Sequence, residues 1–382
     1  MSIAETGPPA RQSGGGLRGA WRRFRNRLAG SADFQAQAQK WPVAKQMAKK
    51  DGERLFDLIA GFTYTQTLYA LTERGALQAL AERDLALPAL ARIMELPEDR
   101  ARLLADGGVG LGLMERVGGD YGLSRLGAAF LGAPGLIDLV LHHRELYADL
   151  SDPTAILRGE VDTRLSQYWP YVFGAGAAED PEAAARYSNL MANSQAMVAA
   201  DTLAAVSLTG VKHLMDVGGG DGAFAAKVGE AYPAMRLTAC DLPPVAERAR
   251  ARFSREGLSD RADAVGADFR TAIPATGADA ISLIRVLYDH EDETVRGLLS
   301  RVYEALPPGG HLLVSEPMGG GDAPHRFGDV YFALYCLAMK TGRVRSAARI
   351  GALMAEAGFS DVTQGDGARA YVTTAVMGRK PN

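Results

Sequence analysis

From Val211 to its end the chain alternates short apolar runs with longer amphipathic ones, and few folds accept that pattern. Strands are predicted at Lys212–Val217, Arg236–Asp241, Ala262–Asp268, Ala280–Arg285 and His311–Glu316, with a final pair near Asp361–Gln364 and Tyr371–Arg379. Helices are predicted between them at Gly222–Tyr232, Pro244–Glu256 and Asp292–Leu306, the last stopped by Leu306-Pro307-Pro308-Gly309-Gly310. Strands joined by helical crossovers build an open parallel sheet with helices on its faces. The expected fold class is α/β: a Rossmann-like, mostly parallel sheet with an antiparallel last strand, preceded by an all-α region with a winged-helix-like element.

The first of these strands ends in a turn that constrains the ligand. Residues Leu214 to Asp221 read Leu-Met-Asp-Val-Gly-Gly-Gly-Asp, and glycines at such a turn let backbone amides approach a cofactor closely. Gly218-x-Gly220-x-x-Ala223 also fits the dinucleotide fingerprint, with Asp241 closing the second strand roughly 20 residues on. A pyrophosphate would meet Asp216 and Asp221 unfavourably, whereas S-adenosylmethionine carries a sulfonium and an ammonium and no phosphate. The acidic turn therefore favours S-adenosylmethionine over a nicotinamide.

Ligands of open α/β sheets lie beyond the carboxyl ends of the strands, and here each such end carries a polar group. The second strand ends at Asp241, with Leu242 beside it, where the carboxylate suits two ribose hydroxyls. The third ends at Asp268-Phe269, an acceptor for an adenine amine next to a ring that stacks on the base. The fourth leads to Arg285, then Tyr288, Asp289 and His290, and the fifth ends at Glu316. An isolated acid at a strand end is often only a helix cap, but four in this order form a pattern. His290, with an ordinary pKa of about 6.5, is the expected base, Tyr288 the expected contact to substrate, and Asp289 or Glu316 the group orienting the imidazole. The plain alternative is that His290 caps the helix beginning near Asp292. His142 and His143 are further histidines that could reach the pocket.

The first 200 residues read differently. Residues 1–50 hold ten Lys/Arg against Glu5 and Asp33, although the whole chain carries a net charge of −3. Residues 1–30 divide into a Pro/Gly/Ser-rich stretch expected to be disordered and a basic amphipathic segment, residues 17–28. On a helix, Leu17, Trp21, Phe24 and Leu28 share one face among five arginines, which suits either an anionic membrane surface or docking on protein. Residues 31–200 read as mainly helical, with a stripe at Leu55, Leu58, Ile59 and Phe62 and a hairpin turning at Gly118-Gly119-Asp120. The helices before that hairpin carry Glu98, Asp99 and Asp106 beside Arg100 and Arg102, so no basic stripe faces a nucleic acid and none is expected as partner. Tyr168, Trp169, Tyr171, Phe173, Met191, Ser194, Met197, Phe332 and Tyr335 are the residues expected to line a substrate pocket; Met191, Ser194 and Met197 are each as readily explained by core packing. The two cysteines have no metal spacing, no metal site is visible, and no apolar run approaches a membrane span, so a cytoplasmic protein, peripheral at most on the inner membrane, is expected.

The pieces Asp-Val-Gly-Gly-Gly-Asp-Gly, Cys-Asp-Leu-Pro, Ala-Asp-Phe, Leu-Tyr-Asp-His-Glu-Asp-Glu and Val-Ser-Glu-Pro in residues 201–382 resemble the small-molecule, S-adenosylmethionine-dependent O-methyltransferases that carry a helical dimerisation domain. Arg-Asn-Arg-Leu, Tyr-Trp-Pro-Tyr-Val-Phe-Gly and Gly-Asp-Val-Tyr-Phe-Ala-Leu-Tyr resemble the bacterial carotenoid branch of that family, and the likeness covers nearly all of the chain beyond its first 20 residues. The resemblance implies a homodimer, a catalytic domain at 201–382 and a lipophilic substrate carrying a hydroxyl. A tetrapyrrole carbon or a phenol methylated on the same scaffold is the rival. One departure matters: the family's phenolic enzymes take their base from the histidine of Leu-His-Asp-Trp, a position held here by Tyr288, with His290 where the tryptophan would be. Glu316 aligns with one of the carboxylates that orient that base, and the second falls near Val344, where no acid stands.

Overall fold

The computed structural model describes residues 17–31, 34, 40–168, 194–365, 367, 369 and 372–382. It divides into two compact units, residues 1–68 and 69–382. The first contains a helix over Leu17–Ala29, with no buried side chain, and most of a 32-residue helix, Pro42–Glu73. The Leu55, Leu58, Ile59 and Phe62 stripe of that long helix is solvent-exposed within one chain.

The second unit begins with short helices. Leu87–Met94 and Glu98–Gly110 are separated at Pro97, which fits the first turn of a helix but not its interior. Strands β1 (Met114–Val117) and β2 (Asp120–Leu123) then pair antiparallel as the expected hairpin, with Gly118 at a φ of 62° in the turn. Arg116 of the hairpin lies over the Tyr121 ring and pairs with Asp106, so this arginine is engaged in packing.

The main sheet has seven strands: β3 (His213–Val217), β4 (Arg236–Asp241), β5 (Ala262–Gly266), β6 (Ala280–Ile284), β7 (His311–Glu316), β8 (Ser360–Gly365) and β9 (Thr374–Arg379). Their order is β5-β4-β3-β6-β7-β9-β8, and only β9 and β8 run antiparallel to their neighbours. Strands β3 and β6 are buried at every position, as a sheet covered on both faces requires. Two apolar cores lie against them, one built around Phe224, Phe253 and Leu237, the other around Leu298, Ile350 and Leu353. The strand order reverses between β3 and β6, so their carboxyl ends open the crevice in which such sheets bind ligands. A π-helical turn, Phe327–Phe332, continues into the helix Ala333–Met339 beside that crevice. Among the described residues no single helix is long and apolar enough to cross a membrane.

Candidate active site

The turn after β3 is set by backbone sterics. Gly218, Gly220 and Gly222 have φ values of 71°, 58° and 79°, which side-chain-bearing residues rarely adopt. A Cβ on Gly218 would stand 2.8 Å from Val286 Cγ2, so the position demands glycine twice over. The turn is tied to β4 by Gly218 N–H, which donates to the Cys240 carbonyl at 2.8 Å.

Two carboxylates sit under this turn without a cation. Asp216 is buried; its Oδ1 accepts from Ser282 Oγ at 2.6 Å, and its Oδ2 meets no donor among the described residues. Burial pushes its pKa up to about 7, against the pull of the Ser282 hydroxyl and helped by the charge of Asp241. Asp241 accepts from Gly220 N–H at 2.8 Å and from Leu242 N–H at 2.7 Å, yet burial still raises its pKa. An acidic, side-chain-free cradle with an orphaned carboxylate oxygen fits a cationic ligand and repels a phosphate, so it fits S-adenosylmethionine. Asp221, the other acid of the motif, is paired instead with Arg252, whose Nε also donates to the Asp221 carbonyl at 3.1 Å.

Asp268 and Phe269 follow β5, which ends at Gly266, two residues short of the predicted end. Asp268 accepts from Arg270 N–H at 2.9 Å and from its guanidinium at 2.7 Å, and this arginine holds the carboxyl below its usual range. The Phe269 ring stands edge-on to the His290 ring, with centroids 5.6 Å apart.

The segment after β6 is the most constrained part of the site. Arg285 takes a left-handed φ of 57°, unusual for a residue with a side chain, and donates to Ser194 Oγ at 2.8 Å. Leu287–Asp289 then form a single 3-10 turn. Glu316, buried at the end of β7, accepts from Tyr288 N–H at 3.0 Å, so it supports the backbone of that turn. Its other oxygen has no partner among the described residues, and burial raises its pKa to about 7. From the opposite side Arg345, only 3% exposed, donates to the carbonyls of Leu287 at 2.9 Å and His290 at 2.8 Å, and to Asp292 at 2.7 Å. Sequence reasoning looked for an acid near Val344 and missed this adjacent arginine. Its only signal was a cation in a loop facing an acid 53 residues away.

The turn sends its side chains to different neighbours. His290 is flanked by Phe269 and by the charges of Arg270, Arg345 and Asp268; burial, then those two cations, push its pKa down to about 4. Tyr288 feels Asp289, Arg285, Tyr335 and Cys336 instead, and burial holds its phenol well above the usual range. Tyr335, expected to line the substrate pocket, bonds His142 Nε2 at 3.0 Å, and Tyr331 bonds His143 Nε2 at 2.7 Å. Phe332 packs edge-on against Tyr331, with ring centroids 4.9 Å apart. Met197 packs against the core beside Phe224. The Tyr168 side chain, Trp169, Tyr171, Phe173 and Met191 lie outside the described residues, as does the stretch 1–16 expected to be disordered.

Residues 147–360 match the model of the O-methyltransferase domain family. The demethylspheroidene O-methyltransferase of Cereibacter sphaeroides is 50% identical over 376 residues, 98% of each chain. That of Rhodobacter capsulatus is 42% identical over 353 residues, 92% of this chain and 88% of the relative. Among solved structures, human N-acetylserotonin methyltransferase in complex with S-adenosylmethionine superposes with a TM-score of 0.70 at 27% identity, covering 87% of this chain and 98% of that one. The chain belongs to the O-methyltransferase family, and its methyl donor is S-adenosylmethionine.

Proposed function

We propose that the chain methylates the hydroxyl of a hydroxylated carotenoid of the demethylspheroidene type, in spheroidene-type carotenoid biosynthesis. The observation that carries this reading is the 50% identity, end to end, with an enzyme named for that substrate. The departure at Tyr288 separates the chain from the phenolic enzymes, which take their base from a histidine at that position.

Asp216, Gly218, Gly220, Asp241, Leu242, Asp268, Phe269 and Arg285 would hold the cofactor, which when bound supplies an activated methyl group on sulfur. The chain's own part is mostly alignment, since an in-line displacement gains most from fixing the attacking oxygen. Tyr288, kept protonated by burial, holds the substrate hydroxyl through its phenol. Asp289 sits beside it, while Arg345 and Glu316 fix the turn that carries both. His290 is neutral at working pH, and its neighbours Phe269, Arg270 and Asp268 belong to the Phe269 side of the site.

Two surfaces extend the proposal. The exposed Leu55, Leu58, Ile59 and Phe62 stripe suits a second copy of the chain, giving a homodimer. The helix Leu17–Ala29, with Trp21 65% exposed among arginines, suits the anionic membrane in which a carotenoid is dissolved. The test is single-turnover transfer of labelled methyl to a hydroxylated carotenoid, in detergent and in anionic vesicles. The full chain should label the carotenoid in both, and a chain lacking residues 1–30 should lose activity in vesicles alone. Failure to label any carotenoid while the cofactor binds would overturn the substrate.

A further inference from the structure

Two His–Tyr pairs remain outside that scheme. His142 and His143 are adjacent on the helix Pro134–Asp149, and each bonds a tyrosine of the segment 327–339: His142 with Tyr335 and His143 with Tyr331. Their rings also touch in tilted or edge-on geometry, at 6.0 Å and 5.5 Å between centroids. The pairs are alike in chemistry but differ in burial, Tyr335 being buried and Tyr331 half-buried, and in what lies beyond the phenol. Tyr335 is coupled electrostatically to Asp289 and Arg285 and is itself felt by Tyr288. Tyr331 feels Tyr147 and stacks on Tyr335 at 6.2 Å between ring centroids, whereas Cys336, the residue after Tyr335, donates to the Tyr288 carbonyl of the turn at 3.8 Å.

We infer that the His142–Tyr335 pair is the proton acceptor for the substrate hydroxyl, and that His143–Tyr331 is its structural counterpart. The inference rests on the O-methylation proposed above. The substrate oxygen forms its bond to the methyl carbon as the carbon–sulfur bond breaks, and sulfur keeps the bonding pair. The hydroxyl proton passes to Tyr335 Oη while the phenol proton passes to His142 Nε2. A sulfonium charge disappears as an imidazolium charge appears, so the low-dielectric site gains no net charge. Burial, then the neighbouring His143, lowers the pKa of His142 to about 4, so the imidazole is neutral at physiological pH and its Nε2 is held at hydrogen-bond distance from the phenol.

The experiment compares His142→Gln with His143→Gln, and Tyr335→Phe with Tyr331→Phe, in the full-length enzyme. Glutamine keeps an acceptor for the tyrosine hydroxyl but cannot take up a proton, so it separates packing from chemistry. Single-turnover transfer to the hydroxylated carotenoid should fall about 100-fold in His142→Gln and Tyr335→Phe, the low end for losing a general base. Cofactor affinity should be unchanged in both, and the His143 and Tyr331 variants should stay within about threefold of the wild type. At saturating cofactor the wild-type rate should change little from pH 6 to 8, whereas that of His142→Gln should climb steeply with pH as hydroxide takes over. Equal losses in both pairs, or a His142→Gln enzyme as fast and as flat as the wild type, would overturn the inference. A wild type that methylates no carotenoid marks instead the failure of the underlying function, and the inference falls with it.

Discussion

The two ends of the crevice are built on different principles. At the cofactor end most partners are backbone groups of the glycine turn and the strand ends: Gly220 and Leu242 donate into Asp241, and Gly218 donates to Cys240, beside the Ser282 hydroxyl on Asp216. At the substrate end the partners are side chains brought from far along the chain: His142 to Tyr335 across 193 residues and His143 to Tyr331 across 188. A backbone cradle accepts any sequence that keeps its glycines and strand-end acids. A side-chain assembly changes whenever one member changes. One sheet can therefore keep a single methyl donor while its relatives act on substrates as unlike as a carotenoid and acetylserotonin.

The sharpest way to break this division is to strike the backbone turn that joins the two ends. Gly342, at a φ of 64°, packs so closely on the 288–290 turn that an added Cβ would lie 2.1 Å from the Tyr288 carbonyl. The turn cannot retreat, because Arg345 holds Leu287 O and His290 O while Glu316 holds Tyr288 N. Gly342→Ala should thus cost at least about 2 kcal/mol in urea unfolding and abolish methyl transfer, since the left-handed backbone alone costs roughly 1–2 kcal/mol. A stable, active Gly342→Ala enzyme would mean that the turn is softer than its contacts imply.

A smaller effect should separate Asp241 and Asp221, two acids that the sequence alone places equally near the cofactor. Asp241→Asn places an amide NH2 against one of two backbone N–H donors, and cofactor affinity, read by calorimetry, should drop about 10- to 100-fold, the worth of one charged hydrogen bond. Asp221→Asn removes half of a partly exposed ion pair, worth about 1 kcal/mol or less, and should shift affinity under about threefold. Equal losses would put Asp221 back among the cofactor ligands.

That contrast also shows what the sequence could reveal. The sheet was legible because buried parallel strands must be apolar and crossovers must be helical; β4 and β7 begin and end where predicted. Strand β5 stops early because Asp268 turns back to its own neighbour, Arg270, a local bond that hydrophobic pattern does not report. Asp241 was legible because a strand end fixes its position. The fate of Asp221 was not, since Arg252 reaches it from the helix Pro243–Arg255, beyond β4 and 31 residues on. Nor was Arg345, whose partners lie across the sheet, nor the π-turn that presents Tyr331, which has no periodicity of its own to read.

The least disruptive test changes only the proton concentration. Asp216 stands at about 7 because it is buried beside Asp241 with one oxygen unpaired. Below that pH it is neutral and offers a cation little; above it, it is ionised. Cofactor affinity should therefore weaken as pH falls from 8 to 6, by about tenfold for one group coupled to binding. Stability carries the opposite sign in the free enzyme. A carboxyl whose folded pKa is raised contributes stability below its unfolded pKa and loses it as pH rises through about 7. The bound cation restores that loss, so the thermal shift produced by the cofactor should be larger at pH 8 than at pH 6. Glu316 titrates near the same pH but supports the Tyr288 turn, so it should not set the slope of cofactor binding. Asp216→Asn separates the two: it should flatten the binding profile while leaving any pH dependence of the turn in place. An affinity that is flat in the wild type, or that tightens on acidification, would remove Asp216 from the cofactor site and leave the cradle to Asp241 alone.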